Sequence, residues 1–145
     1  MANSRVEGLD RRLLLLTAAY GLFLIGLIVV ANSGRAIPQL LSVVRSVPGG
    51  DKTVHFVLGG TMALLLNLSL RAAHWRLGPL AIQKGSVLVV LLGTLEEFSQ
   101  LAVRHRSFDL EDLAWDYAGI AVFGQLGAWI YIASSRLAAD PGDGP

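Results

Sequence analysis

The chain contains no cysteine. That excludes disulfides, thiol catalysis, iron–sulfur clusters and cysteine-ligated zinc. Charge is scarce too: 16% of the 145 residues are Asp, Glu, Lys or Arg, well under the ~25% usual in soluble domains. The net formal charge of +1 leaves no electrostatic footprint for nucleic acid. Two methionines and three histidines are few for a haem or a histidine-rich metal cage, so neither cofactor nor metal is expected. What abounds is apolar: 53% of the residues are hydrophobic. Such a composition argues against a disordered chain and against an ordinary soluble enzyme. It points to one small membrane domain spanning residues 1–145.

A membrane-crossing helix needs roughly 20 mostly apolar residues. Four stretches approach that: 13–31, 53–70, 80–103 and 114–132. The first is charge-free and preceded by Arg11 and Arg12. It outruns the ~7–15 apolar residues of a secretory signal and is read as an anchor. The expected fold is therefore all-α, a polytopic bundle of four transmembrane helices. Residues 1–10 and 138–145 read as frayed tails. In the first loop, Ile37, Leu40, Leu41, Val44 and Val47 share one helical face, and Pro38 suits a first turn. A short amphipathic helix lying in the interface is expected there. The small pairs Gly59/Ala63, Gly124/Ala128 and Ala114/Ala118 suit close helix contacts, and Asn67 and Gln125 are expected to hydrogen-bond between helices. Trp115 and Tyr117 stand about 21 Å along the last helix from Trp129 and Tyr131, one aromatic belt at each interface, with Trp75 as a further anchor.

Four crossings put both tails and the second loop on one side. Seven basic residues fall there: Arg5, Arg11, Arg12, Arg71, Arg76, Lys84 and Arg136. Arg35, Arg45, Lys52, Arg104 and Arg106 fall on the other. The bias favours both termini in the cytoplasm.

The same topology gathers polar residues from three stretches at the outer mouth. Asp51, Lys52 and His55 open the second helix. Glu97, Gln100 and Arg104 close the third, followed by Arg106. Asp109, Asp112 and Asp116 open the fourth at helical spacing. Glu97 stands out, about 9 Å back from the expected helix end. A charge approaching mid-bilayer costs roughly 2.5–3.5 kcal/mol, so Glu97 is expected to face inward, either protonated or paired with Lys52, His55, Arg104 or Arg106. Glu96 falls on another face, toward water or a neighbouring subunit. Several of these residues have plainer roles: Asp109 and Asp51 as helix caps, and Lys52, Arg104 and Arg106 as snorkelling anchors.

Read in order, Asp51-Lys52-x-x-His55-Phe56, Glu97-x-x-Gln100, Arg106-x-Phe108-x-x-x-Asp112 and Gly119 resemble the VanZ-like family over about residues 51–127. Asp116 stands where that family usually has Asn, and Arg104-His105 replaces its Pro-Gly. The resemblance implies a small polytopic protein of the bacterial envelope, of a type named for low-level resistance to the lipophilic glycopeptide teicoplanin.

Three functions compete. In the first, which is preferred, Asp51, Lys52, His55, Glu97, Gln100, Arg106, Asp112 and Asp116 form an outward site that binds a lipid head group or a lipid-linked cell-wall precursor. Lys52, Arg104 and Arg106 would then meet phosphate. The second is an interfacial hydrolase or transferase with His55 and Glu97 as its acid/base pair; no serine or cysteine nucleophile motif supports it. The third is an accessory subunit of a larger membrane assembly.

Overall fold

The computed structural model describes residues 2–34, 42, 44, 46–104, 106 and 108–139, with the backbone alone for 2–10 and 138–139. Its elements run α1 (Ala2–Asn32), α2 (Asp51–Ser69), β1 (His74–Leu77), β2 (Leu80–Gln83), α3 (Lys84–Gln100) and α4 (Leu110–Ala139). Each of the four apolar stretches thus falls on a helix. Two helical stretches, Arg11–Asn32 and Leu110–Leu137, are long and apolar enough to cross a membrane. The expected interfacial helix at 37–47 lies largely outside the described residues.

Helix limits differ from the apolar runs for local reasons. Residues 2–10, expected to be frayed, continue α1. α2 starts after Gly49 and Gly50, whose φ values of 82° and 58° are ones glycine takes without steric cost. It ends where Arg71 and Ala72 turn left-handed and the Ala72 N–H closes on the Asn67 carbonyl at 2.8 Å. The expected third helix of 80–103 is shorter at both ends. Its first four residues form β2, paired antiparallel to β1 with Trp75 opposite Ile82 and Leu77 opposite Leu80. Gly78, at φ 61°, opens the two-residue hairpin turn, where a positive φ is needed. A short apolar run does not tell strand from helix, so Leu80-Ala81-Ile82 merged with the helix that follows. At the other end of α3, residues 101–104 form turns rather than helix.

α2 and α4 are the central antiparallel pair, and glycine lets their backbones touch. A Cβ on Gly119 would run into the Phe56 carbonyl, and one on Gly60 would stand 2.9 Å from the Gly119 carbonyl. A Cβ on Gly127 would meet the Leu64 carbonyl at 2.8 Å. Among the expected small pairs, Ala63, Gly124 and Ala128 are buried, whereas Ala114 and Ala118 face outward. Asn67 is fully buried and donates to Ser86 Oγ at 2.8 Å and the Gly124 carbonyl at 3.4 Å, tying α2 to α3 and α4. Gln125 accepts from Gln83 at 3.0 Å. Asn67 thus bonds between helices as expected, whereas Gln125 is exposed and bonds α4 to β2 instead. α1 leans on α2 through Thr17 beside Ser69 Oγ (2.8 Å) and the Tyr20 hydroxyl donating to the Leu58 carbonyl (3.2 Å).

The interior mixes apolar residues such as Leu65, Val89, Leu113 and Ile120 with polar ones, while many large apolar side chains lie outside. The bulkiest fully buried side chains are Glu97 and Asn67, and Leu14, Leu15, Leu16, Leu22, Phe23 and Val29 of α1 all stand exposed. Each such side chain left in water forgoes about 1.5–3 kcal/mol, so this distribution suits a lipid surrounding. Trp115 and Trp129 are likewise exposed, the first near the start of α4 and the second ten residues before its end.

Candidate functional site

The start of α2, the end of α3 and the start of α4 meet at one end of the bundle. Asp109 caps α4: its Oδ1 accepts the Glu111 N–H at 2.8 Å, and its carbonyl accepts the Leu113 N–H. That cap sets the register of Asp112 and Asp116, one turn apart on the side facing α2. Lys52 Nζ lies 3.0 Å from Glu111, 3.4 Å from Asp112 and 4.0 Å from Asp109. The bond to Glu111, with the charges of Asp112 and Glu111, holds the Lys52 ammonium well above the usual lysine range. It therefore keeps its proton throughout the physiological range, and its contribution is lost only in strong alkali. One turn further in, His55 bridges two carboxylates, with Nδ1 3.1 Å from Asp116 and Nε2 3.5 Å from Asp112.

A second group sits behind the first. Glu97 is 1% exposed. Its Oε1 accepts the Asp109 N–H at 2.7 Å and its Oε2 accepts from Gln100 at 2.9 Å. Gln100, also buried, shares its amide with both oxygens of Glu96 at 3.1–3.2 Å. Phe98 and Phe108 stack at 5.3 Å across the α3–α4 connection.

The structure thus joins Lys52, His55, Asp112 and Asp116 in one cluster, and links Glu97 and Gln100 to it through Asp109. Two expected site residues stand apart. Asp51 is exposed and receives only the neighbouring Lys52 N–H, so it starts α2 without capping it by a side chain. Arg106 forms no ion pair among the described residues, and its Nε is buried without a hydrogen-bond partner there. None of the four cations expected beside Glu97 forms a salt bridge with it. A backbone N–H and an amide satisfy it instead. Three contributors escaped the sequence reading. Glu111 makes the shortest contact to Lys52; its place in the first turn of α4 was the available clue. The Asp109 N–H carries no sequence signal, because every residue but proline has one. Glu96, assigned to an outer face, is half-buried and bonded to Gln100.

Beside this cluster a cavity of about 440 Å³ opens between α1, α2 and α3, with α4 behind it. His55, Glu96 and Asp116 mark its polar end, and Leu24, Ile28, Leu58 and Met62 line the apolar remainder. Among the described residues no three His, Asp or Glu side chains converge as a metal site. Asp116 holds Nδ1 of His55 at hydrogen-bond distance, while Nε2 lies 3.5 Å from Asp112. The cavity is apolar along its length and polar at one tip. Comparison with protein-family models, with curated proteins and with solved structures finds no match to this chain.

Proposed function

We propose that the chain is a four-span, VanZ-like protein of a bacterial cytoplasmic membrane, with both termini in the cytoplasm. Its outward polar end binds the head group of a lipid or of a lipid-linked cell-wall precursor. The observation that carries this reading is the joining of a charged cluster to an apolar cavity: His55, Glu96 and Asp116 line one tip of a slot otherwise walled by apolar residues, and His55 and Asp116 tie that tip to Asp112 and Lys52 outside it. Helix lengths support four crossings. The 19 residues of α2 and 17 of α3 rise about 28 and 26 Å, near the ~30 Å of a hydrocarbon core. The hairpin, carrying Arg76 with exposed Trp75 and Leu77, serves as the inner interface anchor.

Two measurements test the proposal. The cysteine-free background makes site-directed labelling clean. Glu111→Cys is expected to react with a membrane-impermeant maleimide in intact spheroplasts, and Ala81→Cys only after permeabilisation. The reverse pattern would place the polar end in the cytoplasm and overturn the orientation. For binding, Gly93→Leu adds bulk to the cavity wall at a position where a Cβ meets nothing within 4 Å. Native mass spectrometry is expected to find retained lipid on the parent protein and little on Gly93→Leu. Equal retention on both would remove the cavity from the function.

A further inference from the structure

The charge at the cavity's polar end selects among amphiphiles. Six carboxylates gather here: Glu96, Glu97, Asp109, Glu111, Asp112 and Asp116. Among the described residues, the cations in contact with them are Lys52 and His55. Lys52 is already matched by three acids, and it does not line the cavity. Of the groups that line the cavity, Glu96 and Asp116 outnumber His55 even when it is protonated. A phosphate seated at this tip would meet two lining carboxylates and no lining Lys or Arg. This displaces the expectation that Lys52 grips phosphate. An ammonium would instead complete the charge, with Glu96 and Asp116 as its acceptors.

The route of entry is also visible. Ile25 of α1 and Leu92 of α3 both line the cavity, yet they are 58% and 52% exposed. They are the lips of a sideways opening between these two helices, on the flank where Leu22, Leu88 and Leu95 are exposed as well. A chain already lying in the bilayer slides in through this slot without leaving the hydrocarbon. His55 and Met62 mark two ends of the pocket on α2, seven residues or about 10 Å apart, so the polar tip meets the head while the aliphatic walls take the first part of a tail.

From the cavity, its lateral opening and its carboxylates, we infer that the occupant is a bilayer lipid whose head group ends in a primary ammonium. The inference rests on the amphiphile-binding reading above and specifies the head group. It is tested with the full chain in nanodiscs of equal phosphatidylethanolamine and phosphatidylglycerol, two lipids that differ at the head-group terminus. Ions of the protein with retained lipid are counted by native mass spectrometry. One charge-assisted contact predicts roughly tenfold enrichment of phosphatidylethanolamine over the bulk ratio. Glu96→Gln with Asp116→Asn is expected to bring the ratio near one, and Glu96→Gln alone, at a half-exposed site, to lower it in part. Stearylamine, an ammonium without a phosphate, is expected to displace phosphatidylethanolamine from the parent protein. Enrichment of phosphatidylglycerol, or a ratio indifferent to both variants, overturns the ammonium assignment. Retention unchanged in Gly93→Leu overturns the cavity reading itself, so the two failures are distinct.

Discussion

Gly119→Leu is expected to leave no folded α2–α4 pair. A Cβ at Gly119 would overlap the Phe56 carbonyl, and the nearby Gly60 stands close enough that its own Cβ would reach the Gly119 carbonyl. These are backbone atoms in regular helices, so no side chain can swing aside to make room. Relief requires the two helices to separate along the whole seam, which gives up the Gly127–Leu64 approach and the burial of Ala63 and Ile120 with it. Overpacking where side chains can adjust costs typically ~1–3 kcal/mol. Against an unyielding backbone, Gly119→Ala belongs at about 3 kcal/mol, and Gly119→Leu exceeds what a marginally stable small protein tolerates. The effect reaches the candidate site, because Asp116 lies one turn from Gly119 and meets His55 across the same seam. Unfolding in mixed detergent measures the loss, with Gly26→Ala as the control, since a Cβ on Gly26 meets nothing within 4 Å. If Gly119→Ala unfolds with the parent protein, to within about 0.5 kcal/mol, the seam is not where these helices are held.

That seam was only half legible in the sequence. Small residues at intervals of four marked Gly59/Ala63 and Gly124/Ala128 as contacts, but Gly and Ala recur throughout these helices, and the pattern marked Ala114/Ala118 equally. Which glycine meets which carbonyl depends on the crossing of two helices whose touching residues lie about sixty positions apart, which no local pattern encodes. The polar end was more legible. Antiparallel crossings must bring the start of α2, the end of α3 and the start of α4 to one side, and helical spacing then puts Asp112 and Asp116 on one stripe. Lys52 and His55 do meet that stripe. Charge matching alone misled at Glu97, where four cations looked suitable and an amide and a backbone N–H won. Buried polar atoms need hydrogen bonds more than counter-charges, and the bonds nearest to hand came from its own helix turn and from the cap of the next helix. The cavity had no sequence signature, because its walls are ordinary aliphatic residues on three separate helices.

Glu97 is where the second large effect is expected, and it separates a structural from a merely electrostatic role. Glu97→Ala removes the acceptor for the Asp109 N–H and one acceptor for Gln100, in a place where the parent side chain is 1% exposed. Lost hydrogen bonds and the void together predict a loss of about 2–4 kcal/mol. Glu97→Gln keeps an oxygen for the Asp109 N–H but turns an NH₂ toward the Gln100 amide, a donor facing a donor. It is expected to lose about 1 kcal/mol. The ranking matters: if Glu97 served chiefly as a charge, Gln and Ala would be equally harmful. The local readout is hydrogen exchange. The Asp109 N–H is the one held by Glu97, and the Glu111 and Leu113 N–H groups depend on the Asp109 cap. All three should exchange faster in Glu97→Ala and little changed in Glu97→Gln, while amides near Ala63 on α2 stay protected. Because Lys52 and His55 find Asp112 and Asp116 only when α4 starts in register, the Ala variant should also lose head-group discrimination before it loses its fold. A Glu97→Ala protein with parental exchange at Asp109 would show that the α4 cap stands without this carboxylate, and the buried acid would then need another reason to be there.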